Sequence, residues 1–460
     1  MSKIEVDAIT EQSGSTLTTG GGAGKTVVVD ATTVTLGRCG GTVALASGAS
    51  QTGFGRTGTV DWQTTPKTAT FTAVNGEGYF INSGSAITAN LPAGSPGAIV
   101  AFSDYARNFA TYNLTVTPNG SEKIGGTAAS AKLNIDGQAS TFVYVDSTKG
   151  WINVQNAEDT ESGAVEFMTA TGGTITTVCT NFKVHTFTGP GTFAVSAISS
   201  VCASRNQVSY LVVGGGGGGG AGDVSGGGGG GGFREDKSPS TPYTASPLEG
   251  AGAITVTASS FPITVGAGGA HGPTPQGQGS NGVNSVFSTT TSAGGGGGGN
   301  GQPGGSRNGA NGGSGGGSGY SGGSGGSGNT PPVSPPQGQN GATHPGPTAS
   351  PAYGAGGGGG ATATGSGGTP SAGGNGGAGA TTNITGSPVP YAGGGGGARN
   401  DTGTVASGGT GGGGSGGNGG TTAGNGGANT GGGGGGSDEQ EQSSGGVGGS
   451  GVVIIRYKFQ

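Results

Sequence analysis

A stretch near the amino terminus resembles a nucleotide-binding loop. "TGGGAGKT" (Thr19–Thr26) ends like the pattern G-x-x-x-x-G-K-[ST], whose backbone amides cradle phosphates. The pattern needs glycine at its first position, and this chain has Thr19 there. The following residues, "VVVDATTVTL", predict a strand and not the helix whose amino terminus would hold a phosphate. We therefore expect no nucleotide site and no other cofactor.

The histidines, which often act as bases or metal ligands, are three scattered residues: His185, His271 and His344. His185 alternates with Phe187 in a strand pattern, which favours a solvent-facing position. His344 lies in a proline-rich loop, where it could contact a ligand. We expect none of the three to be catalytic.

Cysteines and carboxylates give no stronger signal. Cys39, Cys179 and Cys202 lack the spacing of a disulfide framework or a zinc site, so inert thiols are expected. The acidic pairs, Glu235 with Asp236 and Glu439 with Glu441, are predicted to lie on loops without a basic or metal-binding partner. A calcium loop would show the D-x-[DN]-x-[DN]-G spacing, which does not occur. The sequence therefore does not indicate an enzyme.

Composition excludes further classes. Of 460 residues 120 are glycine, yet there is no Gly-X-Y period of the collagen type. Charged residues are 8% and the net charge is −5, too little charge for a chain kept disordered by self-repulsion. The 17 Lys and Arg form no basic cluster, so nucleic-acid binding is not expected. There is no apolar run that would insert into a membrane and no signal-peptide pattern.

The strand and turn signals divide the chain into four parts. Residues 1–58 are polar and are predicted to be an anchoring segment. Residues 59–156 alternate Val, Ile, Phe, Tyr and Thr with turn residues and predict a small all-β domain. Residues 157–163 are an acidic linker, and residues 164–460 wrap short strands around glycine runs. No stretch shows the apolar period of an amphipathic helix.

The last strand-like segment, "GVVIIRYKF", is too apolar to hang free. Its residues fall on two faces at period 2: Val453, Ile455, Tyr457 and Phe459 on one, Val452, Ile454, Arg456 and Lys458 on the other. Gln207–Val213, upstream of the first glycine run, is the best candidate partner. Such pairing would clamp the two ends of the glycine region together.

Runs such as Gly214–Gly220 and Gly226–Gly232 are too costly in entropy to order alone. In polyproline II geometry, however, every N–H and C=O points outward, and glycine alone lets neighbouring helices approach closely enough to bond. The predicted fold is therefore all-β, a β-sheet base that carries a bundle of polyglycine II helices with loops at its ends. The alternative is a disordered glycine-rich tail.

Counting runs backwards from the terminal strand assigns loops to the two ends of such a bundle. Gly431–Gly436 is counted as outward and Gly411–Gly420 as inward, which makes both Ser437–Ser444 and Ala398–Ser407 distal. By the same count Thr381–Tyr391 is basal, with Tyr391 near the sheet. Charged side chains are expected at a solvent-exposed end of the bundle and not among its packed glycine runs. The candidate contact residues are Arg399, Asn400, Asp401, Asp438, Glu439 and Glu441, with His344 and Tyr353 from the unassigned proline-rich loop.

The order of motifs resembles a known group. "KVHTFTGPGTFAV", "SYLVVGGGGGGGAG", "ITVTASSFPITVGAGGA" and the terminal "GGSGVVIIRYK" are similar to the glycine-rich domains of tail fibres and adhesins of tailed bacteriophages, especially marine and cyanobacterial phages. The opening "MSKIEVDAITEQSGS" also resembles virion proteins of that group. The resemblance implies a virion fibre, often a homotrimer, made in the host cytoplasm. It also implies attachment to tail or adaptor proteins through the amino terminus and distal loops that bind a host receptor, either a polysaccharide or an outer-membrane protein.

Other functions stay open at this point. A capsid- or neck-attached decoration fibre with little receptor binding would need the same anchor and distal domain. A glycine-rich matrix or wall protein would be expected to carry a secretion signal. A tail-associated depolymerase would need paired carboxylates in a groove. Both candidate distal loops could also be merely solvated.

Overall fold

The computed structural model describes residues 60–155, 165–250, 252–301, 306–320, 322–344, 354–400, 403–419, 421–438 and 444–460. The proposed anchoring segment and linker lie outside the described residues. Residues Val60–Gln460 form one compact unit.

The first group of strands winds between two facing sheets. The strands are β1 (Asp61–Lys67), β2 (Phe71–Thr72), β3 (Glu77–Ile81), β4 (Ile87–Asn90), β5 (Ile99–Asp104), β6 (Leu114–Thr117), β7 (Ala131–Leu133), β8 (Ala139–Asp146) and β9 (Gly150–Asn153). One sheet has the order β1-β3-β5-β8-β9 and the other β2-β4-β6-β7. The chain alternates between the sheets, so β1, β3 and β5 pair in parallel, as do β2, β4 and β6. Tyr79, Phe102, Phe142 and Trp151 fill the core between them.

The second group builds the base of the glycine-rich region. Its strands are β10 (Thr169–Thr171), β11 (Thr174–Val178), β12 (Phe182–Phe187), β13 (Gly191–Ala197), β14 (Gln207–Val213), β15 (Phe233–Asp236), β16 (Ile254–Thr255), β17 (Ser260–Thr264), β18 (Ser285–Phe287), β19 (Thr290–Ser292), β20 (Ala380–Thr382), β21 (Val389–Tyr391) and β22 (Val452–Lys458). One sheet has the order β10-β13-β17-β18-β19, and a second has β11-β12-β22-β14-β15 with β16 beside β14. The strands β20 and β21 form a separate hairpin.

The terminal strand lies at the centre of the second sheet. β22 pairs antiparallel with β14 from Ser209↔Arg456 to Val213↔Val452, which confirms the predicted clamp. The predicted two faces of β22 are also confirmed. Val453, Ile455 and Tyr457 enter the core shared with the first sheet. Val452 and Ile454 enter a second core against the β20–β21 hairpin, and that core also contains Tyr391, as predicted.

The expectation that His185 faces solvent is wrong. β12 lies between β11 and β22, so the sheet covers both its edges, and His185 is completely buried. Its Nδ1 lies 2.7 Å from the carbonyl oxygen of Gly172, and its ring meets Phe193 edge-on. Burial lowers the pKa of His185, which favours the neutral ring. The sequence correctly predicted that His185 and Phe187 share one face of the strand. In the structure that face is turned towards the core and not towards solvent.

The fold class is all-β, as predicted. Apart from strands, the described residues contain a single 3-10 turn at Ala203–Asn206. Within the described ranges no helix has the length and apolar character needed to cross a bilayer.

Successive amides of a glycine run donate to different neighbouring runs, with a period of three. In Gly214–Gly220 the first, fourth and seventh amides donate to the run Gly226–Gly232, with N···O distances of 2.8–3.0 Å. The second and fifth donate to Val283 and Ser280, and the third and sixth to Gly449 and Gly446. Each run is therefore held on several sides by backbone bonds alone.

Glycine is required inside this block because backbone surrounds each run. A β-carbon on Gly217 would lie 2.1 Å from the carbonyl oxygen of Gly296, and one on Gly228 would lie 2.1 Å from that of Gly217. Runs of consecutive glycine, such as Gly226–Gly232, are buried along their whole length. Runs with other residues at every third position, such as the one containing Ala267 and Ala270, expose those positions.

Asparagine side chains take the place of backbone at the rim of the block. Oδ1 of Asn308 accepts the amide of Ser324 at 2.8 Å, and Oδ1 of Asn311 accepts that of Ser327 at 2.7 Å. Nδ2 of Asn281 donates to the carbonyl of Asn311 at 3.1 Å. A carboxamide carries the same donor and acceptor as a peptide group, so these side chains satisfy amides where no further run follows.

Candidate functional site at the distal end of the glycine runs

The distal end is the end of the glycine runs that lies away from β14 and β15. Gly214 follows β14 directly, and Gly232 precedes β15 directly. The two runs pair antiparallel, so the turn Ala221–Ser225 between them lies at the opposite end. Seven extended residues place this turn roughly 20 Å from the sheet.

The loop that begins at Ala398 starts beside this turn. The amide of Ala398 donates to the carbonyl of Ser225 at 2.9 Å, and the amide of Arg399 donates to that of Gly417 at 3.0 Å. Asn418 crosses the loop, with Nδ2 donating to the carbonyl of Gly403 at 2.6 Å. These contacts hold both sides of the loop at the distal end.

Arg399 is folded into the loop and is only 8% exposed. Its guanidinium occupies the space next to Gly403, where any side chain would collide with it. Its Nε is buried and has no hydrogen-bond partner among the described residues. The next residue, Asn400, is half-buried, and Asp401 lies outside the described residues. The guanidinium therefore places a positive charge inside the loop, beneath its outer surface.

The loop that begins at Ser437 lies at the same end. The amide of Ser225 donates to the carbonyl of Ser437 at 2.9 Å. The backbone nitrogen of Asp438 would be 3.2 Å from a β-carbon on Gly417, the residue that also binds the amide of Arg399. The Asp438 side chain is 2% exposed. The neighbouring Glu439 and Glu441 lie outside the described residues.

The direction assigned to Gly411–Gly420 is wrong. The amides of Gly414 and Gly417 donate to the carbonyls of Gly433 and Gly436 in matching order, so this run points outward like Gly431–Gly436. Two short inward runs, around residues 405–410 and 422–427, were not counted because few of their residues are glycine. The two omissions cancel, which leaves the loops after Ala398 and Ser437 at the same end.

His344 also lies at the distal end. Its amide donates to Oγ of Ser318 at 2.8 Å, and its ring meets that of Tyr320 edge-on at 5.6 Å. The amide of Tyr320 in turn donates to the carbonyl of Val224 in the first distal turn, at 3.1 Å. Burial lowers the pKa of His344. Tyr353 lies outside the described residues.

The proline-rich loop, which the sequence left unassigned, is divided by the structure. Its first half is basal, because the amide of Phe233 donates to the carbonyl of Gln337 at 2.8 Å. The run that follows leads outward to His344. Tyr320, Asn418 and Ser225 were missed as distal residues. The signal available for them was their position midway between two glycine runs.

The acidic pair Glu235 and Asp236 lies on β15 and not on a loop, which corrects the sequence expectation. Both residues are buried and accept hydrogen bonds. Glu235 Oε2 accepts the amide of Ser246 at 2.8 Å, and Asp236 Oδ2 accepts the hydroxyl of Tyr210. The described residues contain no group of three or more His, Cys, Asp or Glu suited to a metal ion.

The family comparison covers the region that forms this site. A family model described as a glycine-rich domain matches residues 186–458, more than half of the chain. A search of curated proteins finds no match. The matched residues include the central strands β14 and β22 and the glycine runs that carry the distal turns. The chain therefore belongs to the glycine-rich domain family.

Proposed function

We propose that this chain is a structural fibre protein of a tailed-phage virion whose distal glycine-rich end binds the host cell surface. One observation carries the proposal. Loops that start at Ala398 and Ser437 flank the same turn, Ala221–Ser225, at the end of the block away from its sheets. Backbone bonds fix the loop bases, and the loop sequences carry most of the charge in this part of the chain.

We further infer that the glycine runs are polyglycine II helices. The support is the hydrogen-bond period of three along Gly214–Gly220, since this helix has three residues per turn. A stiff block of this kind suits adhesion because little entropy remains to be lost when its end binds.

The proposed receptor is a polysaccharide or an outer-membrane protein of the host. Arg399 and Asp438, both buried, place charge of both signs beneath the distal loops, and the half-buried Asn400 supplies a neutral hydrogen-bonding group. The proposed attachment to tail or adaptor proteins through residues 1–58, the virion location and the homotrimer rest on the sequence resemblance.

The proposal is tested by replacing Asp401–Thr404 and Glu439–Ser443 with Gly-Ser sequences in the virion and measuring adsorption to host cells. We expect adsorption to fall at least tenfold while particle yield is unchanged. A matched control replaces the basal turn Thr385–Ser387 in the β20–β21 hairpin, which should leave adsorption unchanged.

Normal adsorption by particles that contain the altered distal loops would contradict the proposal. It would favour the alternative function, a capsid- or neck-attached decoration fibre with a structural role.

A further inference from the structure

Three aromatic rings are in contact with one another on the outer face of the sheet β1-β3-β5-β8-β9. The indole of Trp62 stacks on Phe80 with ring centroids 4.9 Å apart and planes inclined by 30°. Tyr105, directly after β5, meets Phe80 edge-on at 6.4 Å. Tyr79 and Ile81, which alternate with Phe80, point into the core, so Phe80 points away from it. Trp62 is 38% exposed and Tyr105 60% exposed.

The backbone is shaped to hold this arrangement. Parallel pairing sets Trp62 opposite Gly78 in the neighbouring strand. A β-carbon on Gly78 would lie 2.8 Å from Cδ2 and Cε3 of the indole. Glycine at this position therefore lets the indole lie flat against the sheet, with one face on Gly78 and Phe80 and the rest towards solvent.

The core does not require these rings, because Tyr79, Phe102 and Phe142 already fill it. Adjacent exposed aromatic side chains are unusual on a protein surface unless they bind something. Tyrosine and tryptophan are also the side chains enriched in binding surfaces, since they offer large contact area with few rotatable bonds.

The surroundings of the rings indicate a neutral partner. The strand positions that share this face on β3 and β5 carry no charged side chain: Gly78, Phe80, Ile99, Ala101 and Ser103. Ser103 lies directly opposite Phe80 in the neighbouring strand, and the exposed Asn82 lies two residues after Phe80. A nucleic acid would require cations for its phosphates, and a charged peptide would find no partner at these positions of the face.

We propose that Trp62, Phe80 and Tyr105 form a binding platform for an oligosaccharide of equatorially substituted pyranoses. Such sugars present a face of C–H groups, whose partial positive charge is attracted to the negative face of an aromatic ring. Their hydroxyls extend sideways, towards Ser103 and Asn82. The platform lies in the first β region and does not depend on the distal loops.

The test uses the intrinsic fluorescence of the full chain with cellohexaose as the probe. The protein has two tryptophans, and Trp151 is completely buried, so acrylamide quenching in the folded protein reports on Trp62. We expect cellohexaose to protect the fluorescence from acrylamide in a saturable manner. Yeast mannan, whose sugars have an axial hydroxyl, should protect less.

Variants are compared by retardation in native gels that contain hydroxyethylcellulose. Trp62→Ala should abolish retardation, and Tyr105→Ala should weaken it about tenfold. Trp62→Phe should retain part of it, because the ring stays. Tyr112→Ala is the matched control, since Tyr112 is equally exposed, at 39%, but has no contact with the three rings.

Three results would overturn the proposal. One is the absence of protection by any sugar at millimolar concentration. Another is unchanged retardation of Trp62→Ala and Tyr105→Ala. The third is protection that rises with protein concentration alone, together with a doubled or tripled mass in light scattering, which would assign the rings to an interface between copies of this chain.

Discussion

The backbone amide of Ser225 donates a hydrogen bond to the carbonyl of Ser437 at 2.9 Å, although 212 residues separate the two in the sequence. The carbonyl of Ser225 accepts the amide of Ala398 at the same distance. Segments remote in sequence thus meet at the distal end through backbone groups. Nearly all of these contacts are hydrogen bonds between backbone groups, which look alike in every glycine run. The order of the runs along the chain must therefore determine which segments meet.

A side chain inside the block should therefore be poorly tolerated. In Gly217→Ala the new β-carbon would lie 2.1 Å from the carbonyl oxygen of Gly296, and the surrounding runs cannot move apart without losing hydrogen bonds. We expect a loss of about 3 kcal/mol or more in the free energy of unfolding, measured by chemical denaturation. Gly189→Ala is the control, because nothing lies within 4 Å of its β-carbon position. Equal stability of the two variants would contradict the packing argument.

The rim asparagines should contribute less, since they are exposed. Asn308→Ala with Asn311→Ala removes the acceptors of the Ser324 and Ser327 amides. We expect a loss of about 1–2 kcal/mol, seen as a lower denaturation midpoint, and more self-association because unsatisfied amides face solvent. Thr422→Ala, at another exposed rim position, should change neither property. If the double variant behaves like Thr422→Ala, water replaces the carboxamides without cost.

Local period and turn chemistry were enough to predict the all-β class and the terminal strand. The alternation of Val453 and Ile455 with Val452 and Ile454 is explicit in the sequence, and a run of seven residues this apolar needs cover on both faces. The pairing of the terminal strand with Gln207–Val213 could be predicted because Gln207–Val213 is the other apolar strand that borders a glycine run. The basal position of Tyr391 followed from the count of runs.

Properties that depend on which strands become neighbours were not predictable. Alternation placed His185 with Phe187 but could not show that Phe193 of β13, from the other sheet, would cover that face. Glu235 looked exposed because the donors that its carboxylate accepts from, the amide of Ser246 and the hydroxyl of Thr382 on β20, come from other parts of the chain. The run at Gly411 was given the wrong direction because rim runs contain few consecutive glycines.

Burial of His185 should make stability depend on pH. Burial lowers the pKa of this ring in the folded chain, whereas in the unfolded chain the pKa is near its ordinary value of about 6.5. As pH falls below about 6.5, the unfolded chain binds a proton that the folded chain does not, so the free energy of unfolding decreases. Burial also lowers the pKa of His344, so this residue changes the stability in the same direction. The urea concentration at the unfolding midpoint should therefore be lower at about pH 5 than at about pH 7.5.

The variant His185→Gln isolates the contribution of this ring. Its absolute stability can be lower, but its midpoint should change less over the same pH range. His271→Gln leaves both buried rings in place and should follow the native pH dependence. A His185→Gln profile parallel to the native one would show that His185 is not the group that titrates.

Removal of the terminal strand should open both the sheets and the glycine runs. β22 lies between β12 and β14, and its residues from Val452 to Tyr457 are at most 2% exposed. Without them the two hydrophobic cores lose their shared wall, and the first and last runs lose the sheet that holds their basal ends. Since ordered glycine has a high entropic cost, the runs should not stay ordered alone. Deletion of Val452–Gln460 is therefore expected to make residues 214–451 sensitive to proteinase K, with fragments identified by mass spectrometry.

Deletion of Gln460 alone, which is exposed, is the control and should leave the protein resistant. Equal resistance of the two truncated proteins would mean that backbone bonds between the runs hold the block without the clamp.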